Sequence, residues 1–413
     1  MKNICLLIIS LFSLPLQGQD TLTAASLRHH AHSFVIENNE IKGSATSVWR
    51  ELIQQSHFLL LGEKHQSSQL GYLTAALLPE LAKAGYGHFA IEVGPNAAER
   101  LEDLATPPSN TFQEMQDFTN QYANKLFFKM PIYFFHGYED ALFLQKAMEH
   151  GFNLWGLDQE LSFSVEFLLD DLLALAKNKP QSEEIRKLHH QAVKRYKWFN
   201  FKDDIGKKFQ RNCSLLTEDK INAFFEVFTE EEKKAQEIIT ALRKSWQIYC
   251  YYEEGQYNKN NQSRAVYMKE NFDRAYETAK QSQAQPKFFA KMGDMHLSSG
   301  TTRLGVKDIG NHIFTVAEKE GLQAINIRHL RRFYKTKRKV IDYETSNIEW
   351  VKYWRPYISL GKKEEWVLID LRPFREEVKA GRLKTSKWVA DDILHYDFIL
   401  ISPEDQTVTP IWK

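Results

Sequence analysis

The chain has 413 residues, 43% of them hydrophobic and 26% charged, with 54 basic against 53 acidic side chains. Its 27 Phe, 17 Tyr and 9 Trp supply more apolar surface than a disordered chain carries, and the even charge balance lacks the basic surplus of nucleic-acid binders. Three cysteines exclude a disulfide scaffold and a four-cysteine zinc site.

The N-terminus reads MKNICLLIISLFSLPLQGQD. Lys2, an apolar stretch over residues 4–14, then Pro15 and Gly18 follow the pattern of a signal peptide spanning residues 1–18. The stretch is shorter than the ~20 residues that span a bilayer. The expectation is therefore an exported protein, periplasmic or secreted, with no stable membrane insertion after cleavage. Cys5 would leave with the leader, and Cys213 and Cys250 would remain where they could pair. The alternative is two buried free thiols. The run His29-His30-Ala31-His32 is metal-like by count but reads as surface.

Four short apolar runs follow, each ending in a polar or glycine-containing cluster. Residues 58–61 (FLLL) lead into Gly62-Glu63-Lys64-His65, and residues 89–93 (FAIEV) into Gly94-Pro95. Residues 152–157 (FNLWGL) lead into Asp158-Gln159-Glu160, and residues 288–292 (FFAKM) into Gly293-Asp294-Met295-His296. Short continuous apolar runs predict buried parallel strands. Leu- and Ala-rich stretches over 70–84 and 140–150, stopped by Gly85 and Gly151, predict helices between them. Residues 161–285 are charged and helix-prone, and read as an insertion over the strand ends, either a lid or a plain helical layer. Apolar runs return at 324–327, 366–371 and 396–401 to extend the sheet, while the basic run KTKRK at 335–339 reads as a solvated loop. The predicted fold is α/β. One domain over residues 19–413 has a mainly parallel central sheet flanked by helices, with the large helical insertion near the strand C-terminal ends.

On such sheets active groups collect beyond the carboxyl ends of the strands, where all four polar clusters fall. Glu63 and His65 directly follow a buried run, and Gly62 is expected to free the backbone to turn there. Glu92 interrupts FAIEV; an unpaired buried carboxylate costs several kcal/mol, so it requires a partner. Asp158 repeats the pattern or caps a helix. His296 repeats the Gly-acid-x-His form of the first cluster. Arg264, in SRAVYMKENF, opens an amphipathic helix and is either the fixed cation of a carboxylate-rich site or a surface arginine. There is no GxSxG elbow, no phosphate-binding GxxxxGK[ST] loop, no HExxH and no paired CxxC.

At these residues the chain resembles the superfamily that joins erythromycin esterase-like hydrolases, Tiki proteases and ChaN-like haem-binding proteins. LLLGEKH resembles the Gly-Glu-x-His motif of the Tiki and ChaN branches, and FAIEV the strand bearing the family's acidic residue. LWGLDQE is similar to the esterase branch's Gly-x-Asp strand, SRAVYMKENF to its Arg-x-x-x-Met-x-x-Asn helix, and KMGDMHL to the closing Gly-x-x-His motif. The spacing Glu63-Lys64-His65 is one residue shorter than in the esterase branch. The resemblance implies a hydrolase of an ester, lactone or amide, acting on a small-molecule or peptide substrate without a required cofactor. His65 would be the general base that activates water, with Glu63 and Glu92 orienting it or handling protons, and Asp158 in the same set. His296 and Arg264 would stabilise the developing oxyanion. The Tiki branch implies instead a divalent metal, zinc or manganese, at His65, Glu92 and His296. The ChaN branch implies haem lined by Phe134, Phe135, Tyr138 and Tyr267.

Overall fold

The computed structural model describes residues 20–206 and 209–412. The leader expected at 1–18 lies outside them. A nine-stranded sheet is formed, in chain order, by β1 (Ala31–Glu37), β2 (Glu40–Gly43), β3 (Phe58–Glu63), β4 (Tyr86–Ile91), β5 (Asn153–Gly156), β6 (Lys287–Gly293), β7 (Ala324–Arg331), β8 (Trp366–Asp370) and β9 (Phe398–Ser402). Their order across the sheet is β2-β1-β8-β9-β7-β3-β6-β4-β5. From β9 to β5 every neighbouring pair is parallel, and β8, β1 and β2 add an antiparallel edge. The predicted α/β class with a mainly parallel sheet is the observed one.

The four motif-bearing strands lie side by side as β3-β6-β4-β5. Their apolar runs are continuous because both faces are covered. Leu59, Leu61, Phe89 and Phe289 point into one apolar layer, and Phe58, Leu60, Ala90 and Phe288 into the other. On the first face sit α1 (Ser68–Lys83) and α2 (Tyr138–Glu149). Ser67 caps α1 by accepting from Leu70 N at 3.1 Å. Gly85 follows it with φ +87° and Gly151 follows α2 with φ +71°, the left-handed conformation that favours glycine.

Residues 161–285 are helical apart from their connections, and include α3 (Ser182–Ile205), α4 (Lys233–Glu253) and α5 (Tyr257–Lys280). A disulfide joins Cys213 to Cys250 on α4. Helix α5 lays Met268, Phe272 and Tyr276 against Phe58 and Phe288, so it covers a sheet face, while its earlier turns reach past the strand ends. Much of the aromatic surplus is packing: Phe225 stacks on Trp246 at 6.0 Å and Phe89 on Phe289 at 5.2 Å. The basic run at 335–339 is the exposed turn of a hairpin between Phe333–Lys335 and Val340–Asp342. His29 is exposed, and His30 and His32 are partly so. Among the described residues no helix is long and apolar enough to cross a membrane.

Candidate functional site

Glu63 ends β3 with its carboxylate buried. It accepts a hydrogen bond from Lys291 Nζ on the adjacent strand β6 and one from His65 Nδ1 at 2.9 Å. Burial pushes the Glu63 carboxyl up, but the Lys291 ammonium and His65 outweigh it and hold the group down at about 2. The neighbouring glycine has a different role from the expected one. Gly62 lies inside β3, and a Cβ there would come within 2.9 Å of Asp294 Cα and 3.0 Å of Ile327 O. It permits close approach of the strands, not a turn.

Glu92 follows β4 and is buried. Its Oε2 accepts from Gly293 N at 2.5 Å and faces His65 Nε2 at 3.7 Å. Its Oε1 accepts from Arg264 Nη2 at 2.9 Å and lies 3.4 Å from His296 Nε2. Burial alone would raise this carboxyl, yet His65, His296 and Arg264 hold it well below its usual range. Asp158, just past β5, accepts from the same guanidinium at two points, Nε at 2.9 Å and Nη2 at 2.5 Å. Such a bidentate pair fixes the plane of Arg264. His296, in the turn after β6, pairs through Nδ1 with Asp308 Oδ2 at 2.8 Å. Burial and Arg264 lower His296, but Glu92 and Asp308 win and raise it to about 10.

The six residues singled out in the sequence, Glu63, His65, Glu92, Asp158, Arg264 and His296, thus form one connected cluster. Arg264 does not open its helix as expected. Helix α5 begins seven residues earlier, at Tyr257, because NKNNQS is polar but contains neither Gly nor Pro to stop it. Two members, Lys291 and Asp308, were not foreseen, and Phe134 was expected only as a haem-lining aromatic. Lys291 had a signal, since it interrupts the apolar run FFAKM as Glu92 interrupts FAIEV. Asp308 precedes Ile309–Glu320 and accepts from Ile309 N at 2.8 Å, which reads locally as a helix cap. Phe134 stacks on His65 with centroids 3.9 Å apart and planes 12° from parallel; its φ of +65° is uncommon for an aromatic residue.

Protonation states follow from the pairings. An ionised carboxylate only accepts, so the His65 nitrogen facing Glu63 carries the proton and neutral His65 has its lone pair on Nε2. Four carboxylates (Glu63, Glu92, Asp158, Asp308) face three fixed cations (Lys291, Arg264, protonated His296). Protonating His65 completes the balance. Burial lowers His65, but Glu92 and Glu63 prevail and raise it above its usual value. Its side chain remains 35% exposed and that of Arg264 27%, whereas Glu63 and Glu92 are sealed at 3% and 4%. Beside them lies a cavity of about 140 Å³ lined by Glu92, Phe134, Asp158, Tyr249 and Arg264.

The expected metal set does not fit this geometry. His65 and His296 address opposite oxygens of Glu92, which are already engaged by Gly293 N and Arg264. Among the described residues the one grouping with metal-ligand spacing is Cys213, Cys250 and Glu254, and those sulfurs are bonded to each other. The expected haem-lining aromatics do not converge either. Phe134 lines the cavity, Phe135 packs on Phe143 at 5.5 Å, Tyr138 lies against Phe112 at 4.7 Å, and Tyr267 is buried under Lys244.

No family model and no curated sequence matches the chain. Solved structures do. Erythromycin esterase EreC in its open conformation is 14% identical with a TM-score of 0.54, the match covering 92% of this chain and 99% of that one. A Bacillus cereus protein is 12% identical with a TM-score of 0.56, covering 94% and 98%. A succinoglycan biosynthesis protein is 13% identical with a TM-score of 0.53, covering 94% and 97%. The chain therefore has an erythromycin esterase-like fold, in agreement with the resemblance read from its motifs.

Proposed function

We propose that the chain is an exported hydrolase that cleaves an ester, lactone or amide of a small molecule or peptide with water activated by His65. The carrying observation is the position of His65: Nδ1 is held by an ionised Glu63, and Nε2 is turned toward Glu92 at a partly open point of the buried cluster. Neutral His65 takes a proton from water through Nε2 as that water attacks the carbonyl carbon, and Glu92 steadies the imidazolium that forms. Negative charge then develops on the carbonyl oxygen. Arg264, whose Nη1 carries no intramolecular hydrogen bond among the described residues, and the protonated His296 are the cations placed to meet it. The protonated His65 returns its proton to the leaving oxygen or nitrogen. Similarity of fold to erythromycin esterase EreC supports hydrolysis, while the leader-like N-terminus and the Cys213–Cys250 bond support export.

The test is a panel of esters, lactones and amides assayed with the wild type, His65→Ala and Glu92→Ala. Turnover by the wild type should fall by ~10²–10⁴-fold in His65→Ala, the usual contribution of a positioned general base. Equal turnover by a folded His65→Ala variant contradicts the reading. N-terminal sequencing of protein recovered from outside the cytoplasm should begin at residue 19.

A further inference from the structure

The same edge of the sheet carries a second pocket, of about 370 Å³, within the ~300–1,000 Å³ typical of ligand sites. Four separated stretches build it: the turn after β6, the loop around Arg303, Arg328 within β7, and α6 (Lys387–His395) with the following Tyr396. Arg303 is its central cation. The guanidinium lies over two indoles, 4.7 Å from the Trp354 ring centre and 4.2 Å from that of Trp388. Cation–π contact with two rings restricts where the guanidinium sits.

Among the described residues the guanidinium meets no acceptor within hydrogen-bond distance. Asp392, the nearest carboxylate, already accepts from Arg328 through Oδ1 and from Trp354 Nε1 at 2.7 Å through Oδ2. It stands 3.7 Å from Arg303, beyond hydrogen-bond distance. A guanidinium offers five N–H donors, yet among the described residues no hydrogen bond from Arg303 is made, and 27% of its side chain is exposed. Burial and the neighbouring Arg328 hold Arg303 below the usual arginine range, against the opposing pull of Asp392 and Asp294. Lys387 on the rim and the hydroxyl-bearing Thr301 and Thr302 add positive charge and donors, against Asp391 on the same rim.

We propose that this pocket binds an oxyanion, a carboxylate or a phosphate group, gripped by the fork of Arg303, which packs on Trp354 and Trp388. Two parallel N–H···O bonds to a planar or tetrahedral oxyanion match the donor geometry of the fork. The site is separate from the His65 cluster and does not depend on hydrolytic activity.

Intrinsic tryptophan fluorescence reads binding directly, because both indoles touch the gripping arginine. The full chain is titrated with inorganic phosphate and, separately, with succinate, at constant ionic strength maintained with chloride. A saturable change with at least one of them is expected, with its midpoint shifted at least tenfold in Arg303→Gln and by a smaller factor in Lys387→Gln. A response to phosphate alone or to succinate alone identifies the source of the oxyanion. Should Arg303→Gln fail to fold, Arg303→Lys keeps the charge, loses the fork, and should also weaken binding. No saturable change beyond that of chloride, or titration of the folded Arg303 variant like the wild type, overturns the proposal. Neither result bears on hydrolysis.

Discussion

Two buried ionic networks sit side by side at the carboxyl ends of the same sheet, and they are built to different ends. Around Arg328, Asp294 accepts from Nε at 2.8 Å, Asp392 accepts from Nη1, and Lys64 Nζ closes the group at 3.1 Å from Asp294. Arg328 and Asp392 are each only 2% exposed, and the acids and guanidinium satisfy one another. Around Glu92 the carboxylates are as deeply sealed, but the network ends in His65 and Arg264, both partly open beside a cavity. A closed pair of permanent charges fixes structure. A network that ends in an exposed, titratable imidazole has a group left over for chemistry. Both networks reach solvent, the first through Lys64 at 34% exposure and the second through His65 at 35%; only the second does so through an imidazole, whose ordinary titration lies near neutral pH.

The comparison breaks most visibly under substitution. Arg328→Met leaves Asp294 and Asp392 buried without their main cation, and should cost about 3–5 kcal/mol of unfolding free energy, measured by urea denaturation. His65→Ala should cost less than about 1 kcal/mol by the same method, since its side chain is one-third open, while removing hydrolysis. If the two variants exchange these phenotypes, the distinction drawn between the networks fails.

Gly293→Ala is a finer test. The added methyl would stand 3.0 Å from His65 Nε2 and 3.1 Å from Glu92 Oε2, closing the space that attacking water needs. The expected outcome is a loss of kcat of at least tenfold with the melting temperature lowered by only a few degrees. The smallest effect concerns pH. His296 is raised to about 10 in the folded chain from an ordinary value of 6.5. Its contribution to stability is therefore complete below about pH 6.5 and declines as pH rises toward 10. In His296→Gln that alkaline decline should flatten in pH-dependent urea melts, whereas a curve parallel to the wild type's would show that His296 is not protonated in the fold.

How much of this was legible in the sequence follows the physics of burial. Strands β3 to β6 were readable because helices cover both faces, which forces uninterrupted apolar runs. Strands β1 and β2 lie at the antiparallel edge with mostly half-exposed side chains, so AHSFVIE carries no comparable signal. Glu63, Glu92 and His296 were visible as polar groups breaking or ending apolar runs, and Lys291 could have been found by the same logic. Asp308 could not, because its role depends on a histidine twelve residues earlier and its local signature is that of a cap. The alignment of four strands into β3-β6-β4-β5 turns scattered motifs into one cluster. That order is a property of the sheet and not of any segment.

The central claim, that His65 held by Glu63 is the base, is tested most directly by the pH dependence of kcat/KM. Glu92 and Glu63 raise His65 above its ordinary 6.5, and the neutral form is the active one. The rate should therefore climb with pH through an ionisation above 6.5, and Glu63→Gln should move that ionisation to lower pH. A profile flat across this range, or an ionisation unmoved by Glu63→Gln, would contradict the account.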